Sequence, residues 1–387
     1  MIGRKLAYIA LIVSDVEATA ATLARDFGLR RTNCAVGDSQ RTVPVFGVGA
    51  TALALFPPAA PFVSNESKTG VHHIAFEVGD LTVAAATAAS AGVPAAAYEP
   101  HKGLNGARRL MLSPQATVGV KTYLSEPLSV EPSHGCWVER LDHLGVASAD
   151  NDAALDVFGR RLGCPLESTQ TDMEVHIAVE SFTSDKYGVV YHTRAPEPVG
   201  GLRVAFITVG DCELEFLQDV YARQGGQVAH GRPGSTQQDQ GAIGRFIAAR
   251  GPGLHHVALK VADINGALTR LKRAGQALID TAGRPGSRRA LIGFIHPKSL
   301  NGVLMHLVVF QPSVDRSGGL WALVPSHRVR GREQEFRHAA VPRHPERGRT
   351  SRAATEGFCG ASRRPPADAR PPPAACRRRS SRPRDAR

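Results

Sequence analysis

Apolar and polar positions alternate through "HLGVASAD", which begins at His143. Leu144 and Val146 fall on one face of a strand, and His143, Gly145 and Ala147 on the other. The Asp150-Asn151-Asp152 that follows suits a helix N-terminus. "AALDVFGRRLG" then carries apolar positions at helical spacing as far as Gly163. "INGALTRLKRAG", from Ile264, repeats this design, with basic residues and a terminal glycine. "LRVAFITVGDCELEFL", from Leu202, predicts two strands joined in a hairpin at Gly210-Asp211.

These patterns recur along the chain. "GVHHIAFEVGDL" from Gly70 returns as "GLHHVALKVADI" from Gly253, an offset of 183. The same offset carries "MLSPQATVGVKTYL" at Met111 onto "FIHPKSLNGVLMHL" at Phe294, and Tyr123 onto His306. A constant offset over more than fifty residues marks a duplicated unit. "YIALIVSDVEATAATLARDFGL" at Tyr8 matches the His143 segment at an offset of 135, and "VGATALALFPP" at Val48 matches "VGDCELEFLQD" at Val209 at 161. The third unit therefore holds about 26 extra residues, within the stretch from Ser168 to Gly201.

The pattern predicts an α+β fold of four βαβββ units at about 5–60, 70–127, 139–222 and 253–311, paired into two domains. Residues 1–128 form the first domain and 139–312 the second. "SEPLSVEPSHGCW" supplies a linker at 129–138, and 313–387 form a tail.

Composition refines this picture at the tail. The net charge of +12 suggests nucleic acid until it is located. From Pro312 onward there are 18 Arg, no Lys and 7 acidic residues, leaving 29 basic against 28 acidic residues in the body. The Pro-, Arg- and Ala-rich tail lacks apolar periodicity and is expected to be disordered. Arginine without lysine favours a dispensable extension over an RNA- or membrane-binding arm, so no specific nucleic-acid partner is expected. No run of 18 apolar residues exists, so no membrane span is expected. The N-terminal apolar run meets Asp15 and Glu17 at once, unlike a secretion signal. Six scattered cysteines without CxxC spacing argue against a disulfide framework, and a cytoplasmic protein is expected.

Strand alternation assigns the paired histidines. His255 shares a face with Val257, Leu259 and Val261, the helix-packed side, whereas His256 faces inward with Ala258 and Lys260. The inward set of the second half is His143, Glu215, His256 and His306, donors suited to one divalent metal ion among Co, Mn, Fe, Zn and Ni. The small residues Gly145, Ala147 and Ala258 leave room for a ligand. The equivalent positions of the first half are Tyr8, Ala54, His73 and Tyr123, a copy that has lost its site. The alternative for His306 is a side chain turned toward the helices.

Residues 5–311 resemble the vicinal oxygen chelate superfamily of glyoxalases, bleomycin resistance proteins and dioxygenases. The final unit, "GAIGRFIAARGPGLHHVALKVADINGALTRLKRAG" followed by "FIHPKSLNGVLMHLV", is most similar to methylmalonyl-CoA epimerases. The resemblance implies cup-shaped sheets around a divalent metal that chelates two neighbouring substrate oxygens. It puts the ligands at His143, Glu215, His256 and His306. Two departures stand out: His306 replaces the usual carboxylate, and the place of an epimerase glutamate falls on Ala205. A degenerate first domain before an active second one is instead similar to the dioxygenases of the superfamily.

The expected function is a metal-dependent isomerase or lyase acting on a small carbonyl acid or acyl-CoA thioester through an enediolate. A non-haem Fe(II) dioxygenase and a ligand-sequestering resistance protein are the alternatives. The metal would stabilise charge developing on the two oxygens. Glu213, His176 and His192 are the candidate bases. A homodimer is compatible with the resemblance.

Overall fold

The structure, a computed structural model, describes residues 2–97, 99–134, 136–176, 179–186, 188–193, 197–219 and 241–310. Over much of 172–200 it describes the backbone alone. The tail expected at 313–387 lies outside the described residues.

The first two units build one eight-stranded sheet. Its strands are β1 (Leu6–Ile12), β2 (Arg31–Ala35), β3 (Thr42–Val48), β4 (Thr51–Phe56), β5 (Gly70–Glu77), β6 (His101–Lys102), β7 (Arg108–Met111) and β8 (Thr122–Ser125). Helices α1 (Val16–Arg25) and α2 (Leu81–Ser90) follow β1 and β5. The last two units build a second sheet. It contains β9 (Val138–Ala147), β10 (Leu166–His176), β13 (Glu197–Val209), β14 (Cys212–Asp219), β15 (Gly253–Val261), β16 (Arg284–Pro285), β17 (Ala290–Ile295) and β18 (Met305–Phe310). Strand order is β2-β3-β4-β1-β5-β8-β7-β6 in the first and β10-β13-β14-β9-β15-β18-β17-β16 in the second. The two orders correspond strand for strand, as the repeat predicts. The extra residues of the third unit lengthen β10 and β13 and form a separate hairpin, β11 (Val179–Ser184) with β12 (Gly188–Thr193).

Each unit uses the same local code. Asp15, Asp80, Asp150 and Asp263 each cap the helix that follows the first strand of their unit, accepting from the backbone N–H of Ala18, Val83, Ala153 and Gly266. Helix α3 (Asn151–Ala154) widens into a π-helical stretch at Leu155–Arg161, so the third unit departs from a plain α-helix. Helix α4 (Ala242–Arg250) precedes β15, and α5 (Ile264–Arg273) follows it. The predicted hairpin at Gly210-Asp211 joins β13 to β14, with Gly210 at φ +68.

The outer faces of both sheets and their helices share one apolar core, which runs from Ile9, Phe27 and Phe76 through Leu144, Phe158 and Phe216 to Leu259 and Leu307. The concave faces stay separate. One is lined by Tyr8, Phe56 and Phe62, the other by Phe206, Leu217 and Ile243. The expected linker is pinned to the first unit at the end of helix α1. Trp137 stacks on Phe27 with centroids 5.4 Å apart, and its Nε1 donates to the carbonyl of Asp26 at 3.1 Å.

Candidate metal centre

The four middle strands of the second sheet run in the order β14-β9-β15-β18. They carry Glu215, His143, His256 and His306 respectively. In register, Gly145 stands between Glu215 and His256, and Ala258 between His143 and His306. Side chains in register share a face, so all four donors rise from the concave side. His143 Nε2 lies 3.1 Å from His306 Nε2 and 3.3 Å from Glu215 Oε2, and His256 Nε2 lies 3.5 Å from the same oxygen. All four residues are at most 5% exposed.

Gly145 is required by this arrangement. A Cβ there would meet His256 Cε1 at 2.0 Å. The space expected to admit a ligand at Gly145 is thus filled by the His256 ring itself. His255 also departs from expectation. The register slips by one residue between Leu254 and His256, which takes His255 out of the alternation. It meets Phe246 of α4 edge-on and lines the cavity instead of joining the helix-side core.

The surroundings fix the donors. His143 Nδ1 donates to Asp142 Oδ2 at 2.9 Å, leaving Nε2 to face the cluster. Asp142 is fully buried and paired with Arg140 and Arg288 at 3.0 and 3.1 Å. Burial alone would lower the His143 pKa, but Glu215 and Asp142 carry it up to about 9. Burial would raise Glu215, but His143 and His256 hold it well below the usual carboxylate range. Burial pushes the His256 pKa below the ordinary imidazole value and that of His306 well below it. His256 Nε2 and His306 Nδ1 are buried without a hydrogen-bond partner. Three buried imidazoles beside an ionised carboxylate, with His256 Nε2 unpaired, fit a divalent cation well. The three histidines offer nitrogens within 4.8 Å of one another.

Above the cluster lies a cavity of about 330 Å³. Its apolar wall includes Leu202, Phe206, Ile243, Ile292 and Phe294. Two arginines enter it. Arg288, at φ +56, donates to Glu213 Oε2 at 2.8 Å and to Asp142, and stacks over Phe206 with Cζ 3.8 Å from the centroid. Arg284 donates through Nε to buried Asp280 at 3.1 Å. Arg288 Nε and Arg284 Nη1 are buried and have no hydrogen-bond partner. Sequence reasoning missed both arginines and Asp142. "GRPGSRR", basic residues around a Pro-Gly in an otherwise neutral body, was the available signal.

Glu213 is committed to Arg288 and is not part of the cavity wall. Burial raises its pKa and Arg288 opposes the rise. His176 closes β10, paired with Glu197, and His192 lies on β12 opposite Glu180; the side chains of both lie outside the described residues. Ala205 belongs to the helix-side core, so the epimerase comparison falls on the wrong face of β13. Among the described side chains of that strand, Leu202 and Phe206 line the cavity, and neither is acidic.

Two cup-shaped sheets from four βαβββ units, one holding a histidine triad able to take a metal ion, define a pair of vicinal-oxygen-chelate domains. The chain belongs to the glyoxalase/bleomycin resistance protein/dioxygenase superfamily, whose family model matches residues 8–110 and 142–294. It is similar to the ethylmalonyl-CoA/methylmalonyl-CoA epimerase of Cereibacter sphaeroides, at 26% identity over 172 residues, 44% of this chain and 97% of that protein. It is similar also to the mitochondrial methylmalonyl-CoA epimerase of Mus musculus, at 25% identity over 204 residues, 52% and 92% of the two chains. Among solved structures, a mutant 4-hydroxymandelate synthase from Streptomyces coelicolor shares the fold, with a TM-score of 0.54 and 18% identity over 80% of this chain and 93% of that one. No described helix is long and apolar enough to cross a membrane.

Proposed function

We propose that the second cup is a divalent-metal site for isomerising a small carbonyl acid, free or as the acyl end of a CoA thioester. The observation that carries this reading is the convergence of His143, Glu215, His256 and His306, with His256 Nε2 buried and unpartnered beside Glu215. A bound Co, Mn, Fe, Zn or Ni ion would supply Lewis-acid stabilisation of negative charge on two neighbouring substrate oxygens. The cup would hold such an ion with four residues, one more than the two-His, one-carboxylate set of non-haem iron oxygenases. The donor count therefore favours isomerisation over oxygenation.

The remaining chemistry belongs to the chain's own groups. Arg284 and Arg288 hold a substrate carboxylate through their unpartnered N–H groups. Phe206, Ile292 and Phe294 exclude water from the acyl body. Asp142 accepts from His143 Nδ1 and so turns Nε2 toward the cluster. His255 is the candidate base on the cavity wall. Among the described titratable residues on the cavity wall, it alone belongs neither to the four donors nor to the arginine and Asp280 groups. Burial and neighbouring His256 push its pKa down to about 3, which keeps its imidazole neutral but makes it a weak base. Glu213, His176 and His192 are the competing bases.

The test is α-proton exchange into deuterated water, followed by NMR under nitrogen with methylmalonyl-CoA and a panel of 2-oxo acids. Exchange that EDTA abolishes and metal restores supports the reading. Turnover that requires and consumes oxygen replaces it with a dioxygenase.

A further inference from the structure

The first cup is more than a lapsed copy of the second. Arg109 on β7 stands 183 residues before Ile292, a wall residue of the second cavity. Its Nη1 reaches back to Tyr8 Oη at 3.4 Å and His73 Nε2 at 3.3 Å, the counterparts of His143 and His256. Its Nη2 donates to the carbonyl of Phe62 at 2.8 Å. A guanidinium therefore occupies the part of the first cup where the donors of the second converge.

This cation is buried, 6% exposed, and stacked over Phe62 and Tyr123 with Cζ 3.4 and 4.5 Å from their centroids. No ion pair joins it to a carboxylate among the described residues, because Ala54 stands where the second cup has Glu215. Its Nε is buried with no hydrogen-bond partner. A guanidinium has five N–H donors, and three bonds are made here. A buried cation without a counter-charge is costly, and an incoming carboxylate would relieve that cost with a charge-assisted, planar contact. Burial and Arg109 keep His73 well below its ordinary pKa, so it accepts from Arg109 and does not compete for the anion.

Arg109 lines a cavity of about 1050 Å³, whose wall also includes Val43, Phe56, Phe62, Met111 and Tyr123. We propose that the first cup is a second, metal-independent binding site for an organic carboxylate with an apolar or aromatic body, its carboxylate seated on Arg109. The other charged residues of this wall, Asp15, Glu17, Asp38, Arg41 and Lys102, are exposed, so Arg109 is its buried cation, and the apolar surface around it selects such a molecule over a bare inorganic anion.

The probe is phenylacetate, with neutral phenylacetamide as its control, titrated into protein carrying 13C-methyl methionine. Met111 lines the first cavity, and Met305 lies on β18 of the second sheet. The expected result is a saturable shift of the Met111 methyl with phenylacetate, at least about tenfold weaker with the amide. Arg109→Met should abolish the response. A silent Met111, a response that does not saturate, an equal response to the amide, or a response retained in Arg109→Met overturns the proposal. The acid–amide comparison needs no variant, so it decides even if Arg109→Met does not fold.

Discussion

Gly145 and the His256 imidazole occupy adjoining space on neighbouring strands, with no room for one more carbon between them: a Cβ on Gly145 would fall 2.0 Å from Cε1 and 2.5 Å from Nε2 of the ring. The atoms in the way are the movable end of a side chain, so Gly145→Ala should expel the ring and spare the fold. The expected outcome is loss of bound metal with an unchanged far-ultraviolet spectrum. Metal retained at the parent level would show that His256 is not a donor.

His306 is buried on an otherwise apolar strand, with its Nε2 3.1 Å from His143 Nε2. His306→Ala should weaken metal affinity at least about tenfold, the lower end of what even outer-sphere changes cost. His306→Glu should keep the metal and make the site one charge less positive. A less positive site holds substrate protons more tightly, so the rising limb of the pH–rate profile should move to higher pH. Competition with a chromophoric chelator and pH–rate profiles check both arms.

Arg284 keeps an unpartnered Nη1 on the cavity wall while bound to Asp280. Arg284→Lys retains the charge and loses the planar fork. KM for a carboxylate substrate should rise about tenfold, the worth of a charged hydrogen bond, with metal content unchanged. A parallel loss of metal would mean that Arg284 supports the cluster and not the substrate.

His72 gives a pH dependence separate from the metal. It is buried in the first sheet beside Lys121, and burial first, then Lys121, push its pKa down to about 3. The unfolded value is near 6.5, so below about pH 6.5 the unfolded chain gains a proton that the folded chain refuses. The His72 contribution is thus present above pH 6.5 and lost as pH falls toward 3, by up to about 1.4 kcal/mol per pH unit. His72→Gln should flatten the fall in urea midpoint between pH 7 and 5. An unchanged slope would place the titration elsewhere.

Much of this architecture was legible because the repeat is constrained at many positions. Asp15, Asp80, Asp150 and Asp263 begin four helices, and an offset of 183 aligns His73 with His256. The period of two then placed His143, Glu215, His256 and His306 on one face. His255 escaped that rule because a one-residue slip in register interrupts the alternation. Arg288 escaped because its direction is set by a positive φ in a loop, where no period applies. Arg109 escaped because its role depends on a side chain crossing several strands to reach Tyr8 and His73.

Metal analysis of untagged protein tests the central claim most directly, comparing the parent with His256→Ala and His73→Ala. The two residues are equivalent in the repeat, but only His256 stands among three other donors, whereas His73 meets the Arg109 guanidinium. The account predicts one divalent ion per chain in the parent and in His73→Ala, and none in His256→Ala. A parent chain that takes up no metal under anaerobic reconstitution, or equal loss in both variants, would contradict it.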